Sequence, residues 1–205
     1  MITRFLGILC VAACVASVGC DDKKPQPPLS SPRPAAGPAA APPKGAAVAP
    51  TDQSDSTVSA TGVAMTLPPA WKRNPPANQM RLAEAQVPDA SGDPAKVCLV
   101  VFSTAGGTVE ENVARWAGQV RDAKGQPVPG KTESQTVNGL KISVVEMTGT
   151  FAGMGDTLPK ENWTIRGAIV EAPEGLLFIK MTGPAESVAA AAKDFQAMLL
   201  TAKKL

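Results

Sequence analysis

Short apolar runs separated by turn-forming residues occupy the chain from about residue 57 to its end. Three such runs, at residues 63–67, 80–87 and 97–102, predict the first three strands. The third run is continuously apolar between polar segments, which is typical of a strand in the middle of a sheet. Pro68-Pro69 ends the first strand, and Trp71 just beyond it is expected to close one end of the core.

Two hairpins are predicted farther along the chain. Residues 132–137 and 140–147 flank Asn138-Gly139, and this dipeptide indicates a tight turn because both of its positions need positive φ. Residues 163–171 and 176–182 flank Pro173-Glu174-Gly175 and predict the second hairpin. Between the two hairpins, residues 151–162 predict a long loop that contains glycine.

Helical spacing occurs in two places. Thr108 and Glu111 form a capping-box pattern at the start of the first helix, whose apolar face is Val109, Val113, Trp116, Ala117 and Val120. We therefore expect Trp116 to pack in the core, and Gly106-Gly107 to lead into a helix cap rather than an anion site. The second helix follows Gly183-Pro184, and its apolar stripe is Val188, Ala192, Phe195, Leu199 and Ala202.

The predicted element order is β-β-β-α-β-β-β-β-α. Tight turns between successive strands favour an antiparallel arrangement. The expected fold class is therefore α+β, with a mainly antiparallel sheet covered by helices, spanning residues 57–205.

The first twenty residues have the pattern of a secretory signal. Arg4 precedes an apolar run at residues 5–18, and Asp21-Asp22 follow at once. The run is shorter than the roughly 20 residues of a membrane span. Ser17-Val18-Gly19-Cys20 resembles the bacterial lipobox, which implies a signal peptide at 1–19 and lipidation of Cys20. Ser17 departs from that pattern, and Val11-Ala12-Ala13-Cys14 matches it better, so Cys14 is the alternative lipidation site.

Residues 20–56 are rich in Pro, Ala, Ser, Lys and Asp and contain few large apolar side chains. Such a composition cannot bury enough surface to offset the entropy of ordering, so a disordered Pro/Ala-rich tether is expected. Its role is either to hold the domain away from a membrane or simply to link two segments.

The amino-acid composition excludes several kinds of catalytic and metal-binding site in the domain. The 205 residues include no His, and their net charge of +2 gives no electrostatic footprint for nucleic acid. Without His, no Ser-His or Cys-His nucleophile pair and no His-containing zinc site can form. Cys98 is the one cysteine beyond residue 20, and its place in an apolar run predicts a buried, inert thiol. We expect neither a metal nor another cofactor.

The order of elements resembles the Mog1/PsbP-like fold. The landmarks are Leu67-Pro68-Pro69-Ala70-Trp71 after the opening strand, an early helix after the third strand, and a closing helix with Phe195-Gln196-Ala197-Met198-Leu199. The resemblance covers nearly the whole domain. Residues 111–116 and 180–184 are also similar to those of uncharacterised bacterial lipoproteins. Neither resemblance supplies a catalytic residue, and the resemblance to the Mog1/PsbP-like fold implies a binding or assembly role.

The long loop supplies the candidate contact residues. Phe151, Met154, Leu158 and Trp163 would form an apolar patch that contacts a partner or ligand, whereas the alternative is a variable loop without function. The expected function is an exported, lipid-anchored binding or assembly module of the cell envelope, facing the periplasm or exterior. Its partner would be a protein or an envelope component. A carrier for a small apolar ligand or lipid is the alternative, and an enzyme is less favoured.

Overall fold

The computed structural model describes residues 56–153 and 158–205. The signal peptide, the tether, Cys14, Cys20 and Met154 lie outside the described residues. Neither helix in the described ranges is long and apolar enough to cross a bilayer.

One large antiparallel sheet forms most of the domain. Its strands follow the order β3-β4-β5-β10-β9-β8-β6, and β7 also pairs with β8. A smaller sheet has the order β1-β2-β11. The bounds are β1 Thr57–Ala60, β2 Val63–Thr66, β3 Lys72–Asn74, β4 Arg81–Val87, β5 Cys98–Thr104, β6 Val120–Arg121, β7 Lys131–Val137, β8 Leu140–Phe151, β9 Lys160–Ala172, β10 Gly175–Pro184 and β11 Lys203–Lys204, with helices α1 Val109–Ala117 and α2 Ala185–Leu200.

Both predicted hairpins are confirmed. Asn138 and Gly139 have φ of 49° and 75°, and β7 and β8 pair directly on either side of them. Asn and Gly tolerate this left-handed region better than other residues, so the dipeptide sets the register of the hairpin. The second hairpin joins β9 to β10, with Ala172 opposite Gly175.

Helix α2 covers one face of the large sheet and packs with the small sheet. Phe195 is fully buried there beside apolar side chains of the central strands. The other fully buried large residues on this face include Phe102, Met65, Leu140, Ile142, Ile179 and Met181. This larger cluster is the main core of the domain.

Helix α1 covers only part of the opposite face. Trp116 packs over Gly167 of β9, and its ring meets Phe178 of β10 edge-on, with the ring centroids 6.0 Å apart. The predicted capping box is present, because Thr108 accepts from the Glu111 amide and Glu111 accepts from the Thr108 amide. The α+β class and the antiparallel sheet are confirmed, but the domain is dominated by its sheet rather than covered by helices on both faces.

The predicted element order was incomplete. Strands β1, β3, β6 and β11 were missed, because segments of two to four residues show too little alternation to be recognised. The predicted loop at 151–162 was too long, because β8 extends to Phe151 and β9 already begins at Lys160. Similarly, β10 continues to Pro184, so α2 begins at Ala185.

Candidate functional site

A groove lies between α1 and the half of the sheet that α1 leaves uncovered. Its volume is about 910 Å³, within the usual range for ligand sites. One wall is the apolar side of α1, made by Val109, Val113 and Ala117. Leu176 at the start of β10 adds apolar surface on the other side.

The floor of the groove carries hydroxyl groups. Ser134 of β7 and Ser143 of β8 are directly opposite each other, and Thr132 lies two residues earlier on the same face of β7. Among the described residues, the hydroxyls of Ser134 and Ser143 have no hydrogen-bond partner. They are therefore free to bond a ligand that rests on the floor.

An ion pair marks the open end of the groove. Lys141 of β8 and Glu171 of β9 are cross-strand partners, and Lys141 Nζ lies 2.8 Å from Glu171 Oε1. The hydrogen bond and charge of Glu171 raise the pKa of Lys141, and the charge of Glu110 on α1 adds to the shift. Glu110 and Glu171 together outweigh Lys141, so this end of the groove has a net negative charge.

Two local features hold the walls in place. The capping box fixes the first turn of α1, where Glu110 and Val109 face the groove. Gly130 leads into β7 so close to the sheet that a Cβ there would lie 2.3 Å from Val145 Cγ2. Glycine at 130 therefore lets the loop after α1 pack against β8, which closes one side of the groove.

The loop residues predicted from the sequence do not form one exposed patch. Phe151 is only 6% exposed and packs in the α1-side core, so it is not available on the surface. Leu158 is 74% exposed, and Trp163 is half-buried with Lys160 Nζ 5.1 Å from its ring centroid. A contact role for Leu158 and Trp163 stays a prediction.

The groove residues were not predicted from the sequence. The sequence feature that could have indicated them is a change from polar to apolar side chains along one face of β8. Lys141 and Ser143 precede Val145 and Met147 on that face. Such a change indicates that α1 covers one part of the strand and leaves the other open. It could be read only once the position of α1 was known.

Cys98 is the buried thiol that its sequence context predicts. It is 1% exposed, and a Cβ on Gly183 would lie 2.4 Å from its Sγ. Burial, and secondarily the charge of Asp89, raise the pKa of the Cys98 thiol from 9.0 to about 11. At neutral pH the group is a thiol, which is a poor nucleophile. The described residues also contain no group of three or more potential metal ligands.

This shift predicts a loss of stability in alkali. Below pH 9 the thiol is protonated in both folded and unfolded chains, so its contribution to stability is fully present. Between pH 9 and about 11 the unfolded chain ionises first, and the free energy of unfolding falls by up to about 1.4 kcal/mol per pH unit. Urea unfolding of the wild-type and Cys98→Ala chains across this range measures it. Parallel pH profiles for the two chains would contradict the assignment.

The sequence matches no protein-family model and no curated protein. The fold is similar to the solution structure of cyanobacterial PsbP (CyanoP) from Synechocystis sp. PCC 6803, with 10% identity, a TM-score of 0.46, and coverage of 71% of this chain and 88% of that one. It is also similar to PA94 of Pseudomonas aeruginosa, a protein of unknown function, with 14% identity, a TM-score of 0.41, and coverage of 62% and 86%. No functional conclusion follows from either likeness.

Proposed function

We propose that this protein is an exported, lipid-anchored module of the cell envelope that binds a segment of a partner protein in the groove between α1 and the sheet. The groove is the observation that carries the binding role. It combines an apolar wall, a floor with free hydroxyls and a charged end, which is the mixture that binding sites use for affinity and orientation. The signal and lipobox pattern around Cys20 supports the location.

An extended peptide is the occupant that the groove suits best. Its apolar side chains would contact Val113 and Leu176, while its backbone would bond the hydroxyls of Ser134 and Ser143. The net negative charge at the Lys141–Glu171 end favours a segment with a Lys or Arg side chain there. A non-catalytic role agrees with the protonated, buried state of Cys98.

Site-specific photo-cross-linking in intact host cells tests the binding site. A benzophenone amino acid at Ala114, an exposed residue that lines the groove, is expected to capture a partner. The same group at Arg115, the next residue on α1 and outside the groove lining, is the matched control and is expected to capture little. Mass spectrometry of the adduct should map to a segment with apolar and basic residues.

A second variant separates specific binding from chance proximity. Ser143→Leu fills the floor with a larger apolar side chain and is expected to lower capture at Ala114 at least fivefold. Equal capture at Ala114 and Arg115, or capture unaffected by Ser143→Leu, would contradict the proposal. An adduct with lipid instead of protein would support the alternative, a carrier for a small apolar ligand, which the apolar wall of the groove favours.

Lipidation is tested separately. Cys20→Ala is expected to abolish labelling by a radioactive or alkyne fatty acid and to release the protein from membranes, because a diacyl anchor supplies the stable attachment. Cys14→Ala is the matched control and is expected to keep both labelling and attachment. The reverse pattern would assign the lipid to Cys14.

A further inference from the structure

Strand β7 forms a free edge of the large sheet. It pairs with β8 on one side, and no described residue pairs with its backbone on the other side. Its seven residues, Lys131–Val137, contain no proline and pair with β8 in one continuous register. All of them except Gln135 and Val137 are exposed. The outer side of β7 is therefore a straight, accessible row of backbone hydrogen-bonding groups.

The other edge strands of the two sheets are shorter or covered. At the opposite edge of the large sheet, β3 has three residues and is followed by Pro75-Pro76. Strands β6 and β11 have two residues each, and the Thr57 carbonyl of β1 accepts a hydrogen bond from the Arg73 side chain. Proteins use short strands, prolines and covering groups to prevent pairing between edges. The seven-residue edge of β7 lacks these features, which points to a pairing partner.

The turn at Asn138-Gly139 determines which backbone groups of β7 face outward. Val137 and Leu140 flank this two-residue turn and therefore form a hydrogen-bonded pair. Bonded and non-bonded pairs alternate along an antiparallel ladder, so every second residue of β7 directs its N–H and C=O away from β8. These are three small hydroxyl residues, Thr132, Ser134 and Thr136.

The outward groups are self-complementary about Ser134. When two copies of β7 pair antiparallel with Ser134 opposite Ser134, Thr132 of each copy lies opposite Thr136 of the other. Each outward N–H then donates to an outward C=O of the second copy, and no outward group is left without a partner. Opposed Thr and Ser side chains also stabilise antiparallel pairs.

The charges of β7 favour the same register. With Ser134 at the centre, Glu133 lies opposite Gln135 of the second copy, so no two like charges are directly opposite. Centring the pair on Glu133 would place two carboxylates directly opposite each other, which is destabilising. Centring it on Gln135 would place Thr132 opposite the turn residue Asn138, where the strand has ended. Of these symmetric registers, the one about Ser134 uses the edge best.

We propose that β7 is a homodimer interface, in which two copies of this chain join their large sheets by antiparallel pairing about a two-fold axis at Ser134. One strand pair buries less than the roughly 1,200 Å² of a standard interface, so we expect a dissociation constant of about 10–100 μM. The two grooves then open on the same face of one continuous sheet. The pairing uses backbone groups of β7, so it does not depend on what the groove binds.

Amide hydrogen exchange of the full chain, read by NMR, tests the free edge. In protein well below the dissociation constant, the amides of Thr132, Ser134 and Thr136 are expected to exchange rapidly. Well above it, they are expected to exchange at least about tenfold more slowly, because they bond the second copy. The amides of Glu133 and Gln135 face β8 and are the internal control, protected at both concentrations. Slow exchange of the outward amides in dilute protein would show that another segment of the same chain covers the edge, and this overturns the proposal.

Single cysteines in the purified full chain test the register. Two opposed residues of a bonded pair have Cα atoms about 5.5 Å apart, within the range of a disulfide, so oxidised Ser134→Cys is expected to form a linked dimer. Thr132→Cys is the matched control, since the two copies of residue 132 would lie about 13 Å apart along the strands. An equimolar mixture of Thr132→Cys and Thr136→Cys chains is expected to link as well as Ser134→Cys.

Mass spectrometry of the linked peptides identifies the joined positions, and the wild-type chain under the same oxidant gives the baseline. We expect at least about fivefold more linked dimer from Ser134→Cys than from Thr132→Cys, because only the first pair is within disulfide range. Equal linking by the two variants overturns the two-fold register. A chain that stays monomeric in sedimentation at every concentration, with outward amides that always exchange rapidly, overturns the proposal as well. The edge would then be left for a strand of a different protein.

Discussion

Gly167→Ala is expected to lower the free energy of unfolding by about 3 kcal/mol, the upper end of the usual cost of overpacking. Trp116 packs against the Gly167 backbone, and a Cβ there would be 2.1 Å from Trp116 Cζ3 and 2.8 Å from two further ring atoms. The indole ring is wedged between α1 and the sheet, so it cannot move without lifting the helix. Thermal unfolding of the full chain, with a fall in Tm of about 6–12 °C, measures the effect.

Gly106→Ala is the matched control. No atom lies within 4 Å of a Cβ built at Gly106, and its φ is not in the left-handed region, so its Tm is expected to stay within about 2 °C of the wild type. Trp116→Leu then tests the cause. If the indole ring is what the new methyl group meets, the costs of Gly167→Ala and Trp116→Leu are non-additive, with a coupling of about 1–2 kcal/mol. Additive costs would place the strain elsewhere.

The same contact links stability to the candidate site. Trp116 fixes the height of α1 above the sheet, and α1 forms the apolar wall of the groove. A shift of α1 by Gly167→Ala would therefore also weaken cross-linking from Ala114, even though Gly167 does not line the groove. Folding of the α1 face and formation of the groove depend on one packing contact.

Local chemistry explains which elements were predictable. The two residues Asn138-Gly139 are enough to predict the turn between β7 and β8. Thr108 and Glu111, which lie within a four-residue segment, are enough to predict the start of α1. Their physical causes, a left-handed backbone and a reciprocal cap, act between near neighbours in sequence. They can therefore be read without knowledge of the fold.

The elements that were missed depend on distant partners. Strand β11 exists because Lys203 pairs with Ala64, and β6 exists because Val120 pairs with Phe151. The burial of Phe151 has the same origin, since β8 and β9 continue past the position where the sequence suggests a loop. The sequence pattern shows only that Phe151 is apolar. Its burial follows from the pairing of β8 with strands that are distant in sequence.

The candidate site was not predictable for a related reason. Ser134 and Ser143 are ordinary polar residues of a hairpin until α1 is placed over the neighbouring part of the same face. The capping box and the Asn138-Gly139 turn each shape one side of the groove, but neither motif shows that α1 and the hairpin come together.

Phe195→Ala is expected to have the largest effect on the α2 face, lowering the free energy of unfolding by about 3–5 kcal/mol. Phe195 is fully buried where α2 meets the sheet, so its removal leaves a cavity that the rigid strands cannot close. The change also removes the ring that lies 5.9 Å from the Arg166 guanidinium, a group that is paired with Glu146. Urea unfolding of the full chain measures the loss.

Two further variants separate these contributions. Leu200→Ala, on the same helix but 56% exposed, is expected to cost less than about 1 kcal/mol. Phe195→Leu keeps most of the buried volume but loses the aromatic face, so it should retain most of the stability if cavity formation dominates. A cost for Phe195→Leu close to that of Phe195→Ala would instead assign the main stabilisation to the contact between the ring and Arg166. In that case, Arg166→Met is expected to destabilise the wild type far more than it destabilises Phe195→Leu.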